Sequence, residues 1–307
     1  MNRLYIIGNG FDIYHGIRSK YVDFKEYLYH HDRELHDLVE QYIPVDGEWS
    51  DLESSLADVD VDAITEYASG YLVPYAADDW RDAYHHDYQY EIERIVEGLS
   101  SKLKSRFTEW VRQLYVPTRH TLTVCPLNIS PTEKFMTFNY TSTLSDIYGV
   151  PRAKILHIHG EAKTGQDLVL GHAWRPSDKA ATEYDSRYEF DQPDVRVMEG
   201  EEILNRYFTQ TFKDTQKVIS NNASFFCGLL GLHQIFVLGH SMSEVDFDYY
   251  REIVKAIDVH KVKWVVTFYD EDERERHMNT LNILEIPNCL TTLCEIKALQ
   301  VGGRSFA

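Results

Sequence analysis

The chain has 307 residues, a formal net charge of −18, 43% apolar residues and 26% charged ones. That composition is globular, long enough for one large domain or for a core carrying an inserted subdomain, and it excludes a disordered chain. So acidic a surface repels phosphate backbones and argues against a dedicated DNA or RNA binder; small anionic ligands stay open, because a loop of inward-facing N–H groups binds phosphate whatever the outer surface carries.

In chain order, Leu4-Tyr5-Ile6-Ile7 is a short run of strand formers stopped by Gly8, as expected of a buried parallel strand feeding a glycine turn. From Tyr21 the period changes: Tyr21, Phe24, Tyr27, Leu28, Leu35, Leu38, Val39 and Tyr42 recur at helical spacing. Ser50 reads as a helix N-cap, residues 63–72 as a further helix and residues 88–114 as a long amphipathic one. Strand character returns at Lys134–Phe138, Lys154–Ile158, Leu168–Leu170, Ile235–Leu238 and Lys263–Phe268, with helices expected near 141–148, 199–229, 243–258 and 270–281. Alternating strands and helices imply βαβ units and a mostly parallel sheet, so the fold class is α/β with a large all-helical insertion. The pattern divides the chain into an α/β core (1–18 and 117–290), a helical insertion (19–116) and a C-terminal tail (291–307). The polar segment 175–197, rich in Asp, Tyr and Pro, reads as a surface loop or lid.

The four cysteines, Cys125, Cys227, Cys289 and Cys294, form no C-x-x-C pair, so neither a structural zinc site nor a disulfide framework is expected. They read as reduced thiols. The apolar start is too short for a signal-peptide core, and no run is long enough to span a membrane. A cytoplasmic protein is the expectation.

The chemistry is concentrated where strands end, and in a parallel sheet ligands sit at the carboxyl ends. Gly8-Asn9-Gly10-Phe11-Asp12 follows the first strand, where glycine lets the backbone turn sharply and approach an anion. Thr137-Phe138-Asn139-Tyr140-Thr141 follows the second: Asn139 can hold a ribose hydroxyl with its carboxamide, or Asn139 or Thr141 can simply cap the next helix. In His157-Ile158-His159-Gly160 the two histidines share a face; His159 suits a general base, or either is a satisfied core histidine, or the pair is half of a metal site with His172 and His240. Gly239-His240-Ser241, followed by Asp246, suits a second phosphate or ribose contact, with Ser241 or Ser243 as a helix cap the plainer alternative. There is no G-x-S-x-G elbow and no Walker A loop, and Ile13 breaks the six-residue dinucleotide fingerprint.

In order and spacing, G-N-G-F-D at 8–12, Y-x-D-F at 21–24, W-S-D-L-E at 49–53, T-F-N-Y-T at 137–141, H-I-H-G at 157–160 and L-G-H-S-x-S-E-V-D at 238–246 resemble the AbiH family of bacterial phage abortive-infection proteins. A deeper resemblance is to sirtuin-like NAD-binding domains of Rossmann type, carried by Gly8, Gly10, Gly16 and Ile17, by Asn139, by His159-Gly160, and by Gly239 and Ser241. The resemblance implies an antiphage protein that binds NAD and cleaves its N-glycosidic bond on a trigger, with His159 and Asn139 catalytic. Gly8, Asn9, Gly10, Phe11, Asp12, Tyr140, Gly239, His240, Ser241 and Asp246 would line the nucleotide, without a metal. Two departures stand out: Asp12 replaces the serine of the first sirtuin-like motif, and Thr141 replaces the aspartate that follows its asparagine. The four-cysteine zinc module is also missing. The other readings are a nucleotide sensor acting through a partner, and a metal-dependent phosphoesterase or nuclease. A phage trigger, a partner protein or a second copy of the chain are the partners such a defence protein implies; a membrane is not among them.

Overall fold

The computed structural model describes residues 2–78, 80–165, 168–175 and 194–302. Six strands, β1 (Arg3–Ile7), β2 (Lys134–Thr137), β3 (Ile155–His157), β4 (Gln234–Leu238), β5 (Lys263–Phe268) and β6 (Thr291–Glu295), form one sheet in the order β3-β2-β1-β4-β5-β6. Every neighbouring pair is parallel. The helices in chain order are α1 (Asn9–Tyr14), α2 (Tyr21–His31), α3 (Arg33–Tyr42), α4 (Leu52–Ser55), α5 (Val61–Ser69), α6 (Asp87–Glu97), α7 (Leu103–Gln113), α8 (Thr143–Tyr148), α9 (Val195–Thr211), α10 (Thr215–Asn221), α11 (Ala223–Cys227), α12 (Phe247–Ala256) and α13 (Glu271–Ile283).

The unbroken apolar runs follow from burial on both faces. Leu4 and Ile6 face one core with Met136, Val237, Trp264 and Val266, against Tyr249, Tyr250 and Ile253 of α12 and Leu281 of α13. Tyr5 and Ile7 face the other with Phe135, Phe236, Leu238 and Val265, against Phe11 of α1 and Leu144 of α8. Register is pinned by an aromatic ladder: Tyr5 stands opposite both Phe135 and Phe236 and stacks on them at 5.0 and 4.9 Å.

The chain divides into two compact units, one of residues 1–20, 110–169 and 214–307 and the other of 21–109 and 170–213. The first holds the sheet. The second is helical and takes in α9 as well as α2–α6, so residues 170–213, read from sequence as core, belong to it. Within it α6 packs on α9, where Gly200 gives Tyr88 and Ile92 room: a Cβ there would fall 2.5 Å from the tyrosine ring. Glu53 of W-S-D-L-E accepts from the Tyr21 hydroxyl and pairs at 3.2 Å with Lys213, whose side chain is fully buried. Those two family motifs therefore meet inside the helical unit.

Four expectations change. Leu168–Leu170 is not a strand: Val169 donates to His159 O at 2.9 Å, and the chain leaves the sheet unit directly after it, so Leu168 and Leu170 are buried and Val169 half-buried without pairing along β3. The C-terminal residues are not merely a tail, since Thr291–Glu295 pairs with β5; this edge strand is half exposed and lacks the apolar run that marks the central ones. The helical stretch 199–229 is three helices, α9, α10 and α11, interrupted where Asp214 caps α10 through Lys217 N at 3.0 Å. The long helix at 88–114 is α6 and α7 joined by a π-helical turn at Gly98–Lys102. Most of the proposed lid at 175–197 lies outside the described residues, although Val195–Val197 already belong to α9.

Candidate functional site

The strand order reverses direction between β1 and β4, which makes their carboxyl ends the switch point of the sheet. There the two glycine turns touch backbone to backbone. Gly8 N donates to Leu238 O at 3.0 Å and Gly10 N to Gly239 O at 2.8 Å. A Cβ on Gly8 would lie 2.4 Å from His240 Cα, and one on Gly239, whose φ is +61°, would lie 2.3 Å from Phe11 N. Glycine is thus required by close approach at Gly8 and by approach and a left-handed backbone together at Gly239. The N–H groups of Gly8 and Gly10 tie the two strand ends together and that of Phe11 closes the first turn on Gly8 O, so these three are bonded internally rather than pointing at an anion. Thr267, at the end of β5, braces the same point, its hydroxyl accepting from Gly239 N at 2.8 Å and donating to Val237 O at 3.2 Å.

Two polar clusters flank this junction. In the first, Asp12 on α1 is 1% exposed and accepts the hydroxyls of Thr141 at 2.6 Å and Thr143 at 2.7 Å. Burial pushes its carboxyl up to about 6, opposed by the hydrogen bonds from Thr141, Thr143 and Asn139. Asn139 donates its Nδ2 to Gly8 O at 3.0 Å as well. With the amide N–H groups committed to Gly8 O and Asp12, the carboxamide Oδ1 is the face left to accept. Neither Asn139 nor Thr141 caps α8, since the helix starts without a side-chain cap bond. Asp12 and Thr141, the two departures from the sirtuin-like pattern, are therefore hydrogen-bonded to each other. Behind them His15, which the sequence did not mark, donates Nδ1–H to Phe11 O at 2.6 Å and accepts the Tyr148 hydroxyl at 2.7 Å; burial lowers it to about 4, so it is neutral.

In the second cluster, Asp246 lies between two histidines. His159 Nε2 is 3.5 Å from Asp246 Oδ1, and His240 Nε2 is 3.4 Å from Oδ2. All three are nearly buried, at 2%, 3% and 7% exposure for His159, His240 and Asp246. Phe138 turns its edge to both imidazoles, with centroids 5.3 Å from His159 and 4.1 Å from His240. Below, burial and then the charge of Asp246 hold the Tyr250 hydroxyl well above its ordinary range. Fully buried His277 of α13 is lowered to about 4, chiefly by burial, and faces Glu273, a carboxyl that burial raises. Asp246 makes no side-chain cap bond at the start of α12.

The remaining candidates lie around these clusters. Tyr140 donates its hydroxyl to Val169 O at 2.7 Å and its ring centroid is 5.9 Å from that of His159. His157 is half-buried, donates toward Asn139 O at 3.3 Å, and is lowered from its ordinary value by burial. Asn9 and Ser241 are exposed; Asn9 exchanges hydrogen bonds with Ser19 at 2.8 and 2.6 Å. Phe11 is fully buried, its ring 4.5 Å from that of His15. His172 belongs to the helical unit, whereas His157, His159 and His240 belong to the sheet unit. Among the described residues no group of three His, Cys, Asp or Glu side chains is arranged so that it could hold a metal ion. Thr143 was not marked by the sequence, while Phe138 and Thr267 were read only as members of a strand or strand-end motif, without a role at the site.

Among the described residues no helix is long and apolar enough to cross a membrane. No curated protein matches the chain. The family model described as "Bacteriophage abortive infection AbiH" matches residues 4–268, which takes in β1 to β5, both glycine turns, both polar clusters and the helical unit. The chain belongs to the AbiH family, and that membership points to a role in abortive infection as a defence against phage.

Proposed function

We propose that the chain binds NAD at the carboxyl edge of the sheet and hydrolyses its N-glycosidic bond when infection triggers it. The observation that carries this is the switch point itself. The order β3-β2-β1-β4-β5-β6 is that of doubly wound dinucleotide-binding sheets, and Asn139 and His159 stand on strand ends next to it. The sirtuin-like pattern of Gly8, Gly10, Asn139, His159-Gly160, Gly239 and Ser241 adds support, because these residues all fall in the sheet unit.

In the reaction, water attacks the anomeric carbon of the nicotinamide ribose. The carbon–nitrogen bond breaks with its electron pair passing to the nicotinamide ring, which leaves neutral, and the proton of the attacking water goes to His159 and then to solvent. Asn139 Oδ1 would accept from the attacking water or a ribose hydroxyl. Tyr140, Asn9 and Ser241 would contact the rest of the nucleotide, while Gly8, Gly10, Phe11 and Gly239 keep the two strand ends close. Asp12, committed to Thr141 and Thr143, acts through Asn139 rather than on a ribose. No metal enters this scheme. His159 at 2% exposure matches a resting enzyme that must open before water reaches the base. The same burial would suit a sensor that only binds the nucleotide and passes the signal to a partner protein or a second copy.

The test is NAD loss, with nicotinamide and ADP-ribose measured, for the purified chain alone and with extract from phage-infected cells, alongside thermal shift with NAD, ADP-ribose and ATP. Turnover abolished in His159→Ala and Asn139→Ala establishes the enzyme. Stabilisation without turnover in any extract leaves the sensor, and no effect of any nucleotide removes both.

A further inference from the structure

We propose that Asp246 is a positioning residue for His159, held in place by His240, so that the three side chains work as one base unit. This rests on His159 being the base of the reaction proposed above, and it gives Asp246 and His240 roles other than contact with a nucleotide.

The argument begins with His240. Met242 N–H donates to His240 Nδ1 at 2.9 Å, so Nδ1 is an acceptor and the ring of the neutral imidazole must carry its hydrogen on Nε2. That hydrogen faces Asp246 Oδ2. The backbone is bent to make this possible: Gly239 has φ +61° and Met242 φ +53°, both left-handed, and Met242 is neither Gly nor Asn. One oxygen of Asp246 is thus engaged by a fixed donor, and the other is presented to His159 Nε2. Phe138 packs edge-on against both rings, which limits their rotation and keeps water out. The geometry points to hydrogen on Nε2 of neutral His159, turned toward Asp246 Oδ1. At 3.4 and 3.5 Å both contacts are longer than settled hydrogen bonds, so the coupling is electrostatic.

Other titratable groups face this unit from the elements packed against it. Tyr140 faces His159 from the end of β2, and Tyr249 faces it from α12 with ring centroids 6.4 Å apart. Tyr250 lies beside Asp246 with its hydroxyl kept protonated. His277 and Glu273 of α13 bear on His240 from behind. Asp246 stands at ion-pair distance from His159.

Imidazole NMR of the full chain tests this without needing turnover, with the His159 resonance assigned by its loss in His159→Gln. In Asp246→Asn, His159 should titrate at a pH lower by about one unit or more, and Asp246→Glu should recover part of that shift. Nitrogen shifts of the wild type should show both His159 and His240 with hydrogen on Nε2 at high pH. This second measurement stands even if the Asn variant does not fold. An unmoved His159 titration in a folded Asp246→Asn, or hydrogen on Nδ1 of either ring, overturns the proposal. Where NAD turnover is present, Asp246→Asn should lower kcat on the order of 10²-fold with KM unchanged. A raised KM with kcat intact would instead make Asp246 a ligand contact. Absence of turnover in the wild type bears on the NAD reaction alone, because the titration and the tautomers are read without substrate.

Discussion

Asp12 and Asp246 are two buried carboxylates on either side of one pair of glycine turns, and their surroundings differ in kind. Asp12 is met by hydroxyls and an amide, which solvate a carboxylate but bring no charge, and burial raises it to about 6. Asp246 is met by two imidazoles, either of which can share a proton with it. The first arrangement suits a group that holds Asn139 in place. The second suits one that answers to protonation of a base. Chemistry at this edge is therefore decided by what each carboxylate faces, since residue type and burial are the same for both.

The hardest blow to that contrast is to remove what separates the two clusters. Gly239→Ala puts a Cβ 2.3 Å from Phe11 N at φ +61°, so it should lower stability by roughly 3 kcal/mol or more and disturb Asp12 and Asp246 together, read by urea unfolding and by the imidazole spectrum. Asp12→Asn comes next and isolates one side. The folded value of about 6 lies above the ordinary 3.8, so the protonated acid favours the fold: that stability is full below about pH 4 and is lost as pH rises through 6. Two units correspond to about 3 kcal/mol. Urea midpoints of the wild type should fall, relative to Asp12→Asn, across that window, and parallel curves would mean Asp12 is not the group described. Thr141→Val removes one hydroxyl from the ionised carboxylate and should cost about 1–3 kcal/mol at pH 8 and less at pH 5. Combining Asp12→Ser with Thr141→Asp, which exchanges the two partners' polar groups, should be more stable than the sum of its single changes by about 1 kcal/mol; strict additivity would show that the pair does not interact. Lys163→Ala serves as the control: its 2.7 Å pair with Asp146 is on the same side of the sheet but more than half exposed at the lysine, so about 0.5 kcal/mol or less is expected.

The central strands were legible because burial on both faces writes an uninterrupted apolar run, as in Leu4–Ile7 and Ile235–Leu238. Edge strand β6 was not, since Thr291–Glu295 is half exposed and carries no such run. Leu168–Leu170 wrote the same signal as a strand because its two leucines are buried. At the site, the strand-end residues were picked out by type and position. Their pairings were not: nothing in the letters says that Asp12 meets Thr141 rather than a ribose, or that Asp246 stands between His159 and His240.

By itself the sequence determined the α/β class, the presence of a helical region and the strand ends where polar residues collect, because period, glycine and run length are local properties of the chain. The order of the strands, the contact of Gly8 with His240 and Gly239, the passage of residues 170–213 into the helical unit and the partner of every buried carboxylate were decided only in three dimensions. Each depends on which distant segments pack side by side, and a buried charge takes its properties from that neighbour rather than from its place in the chain.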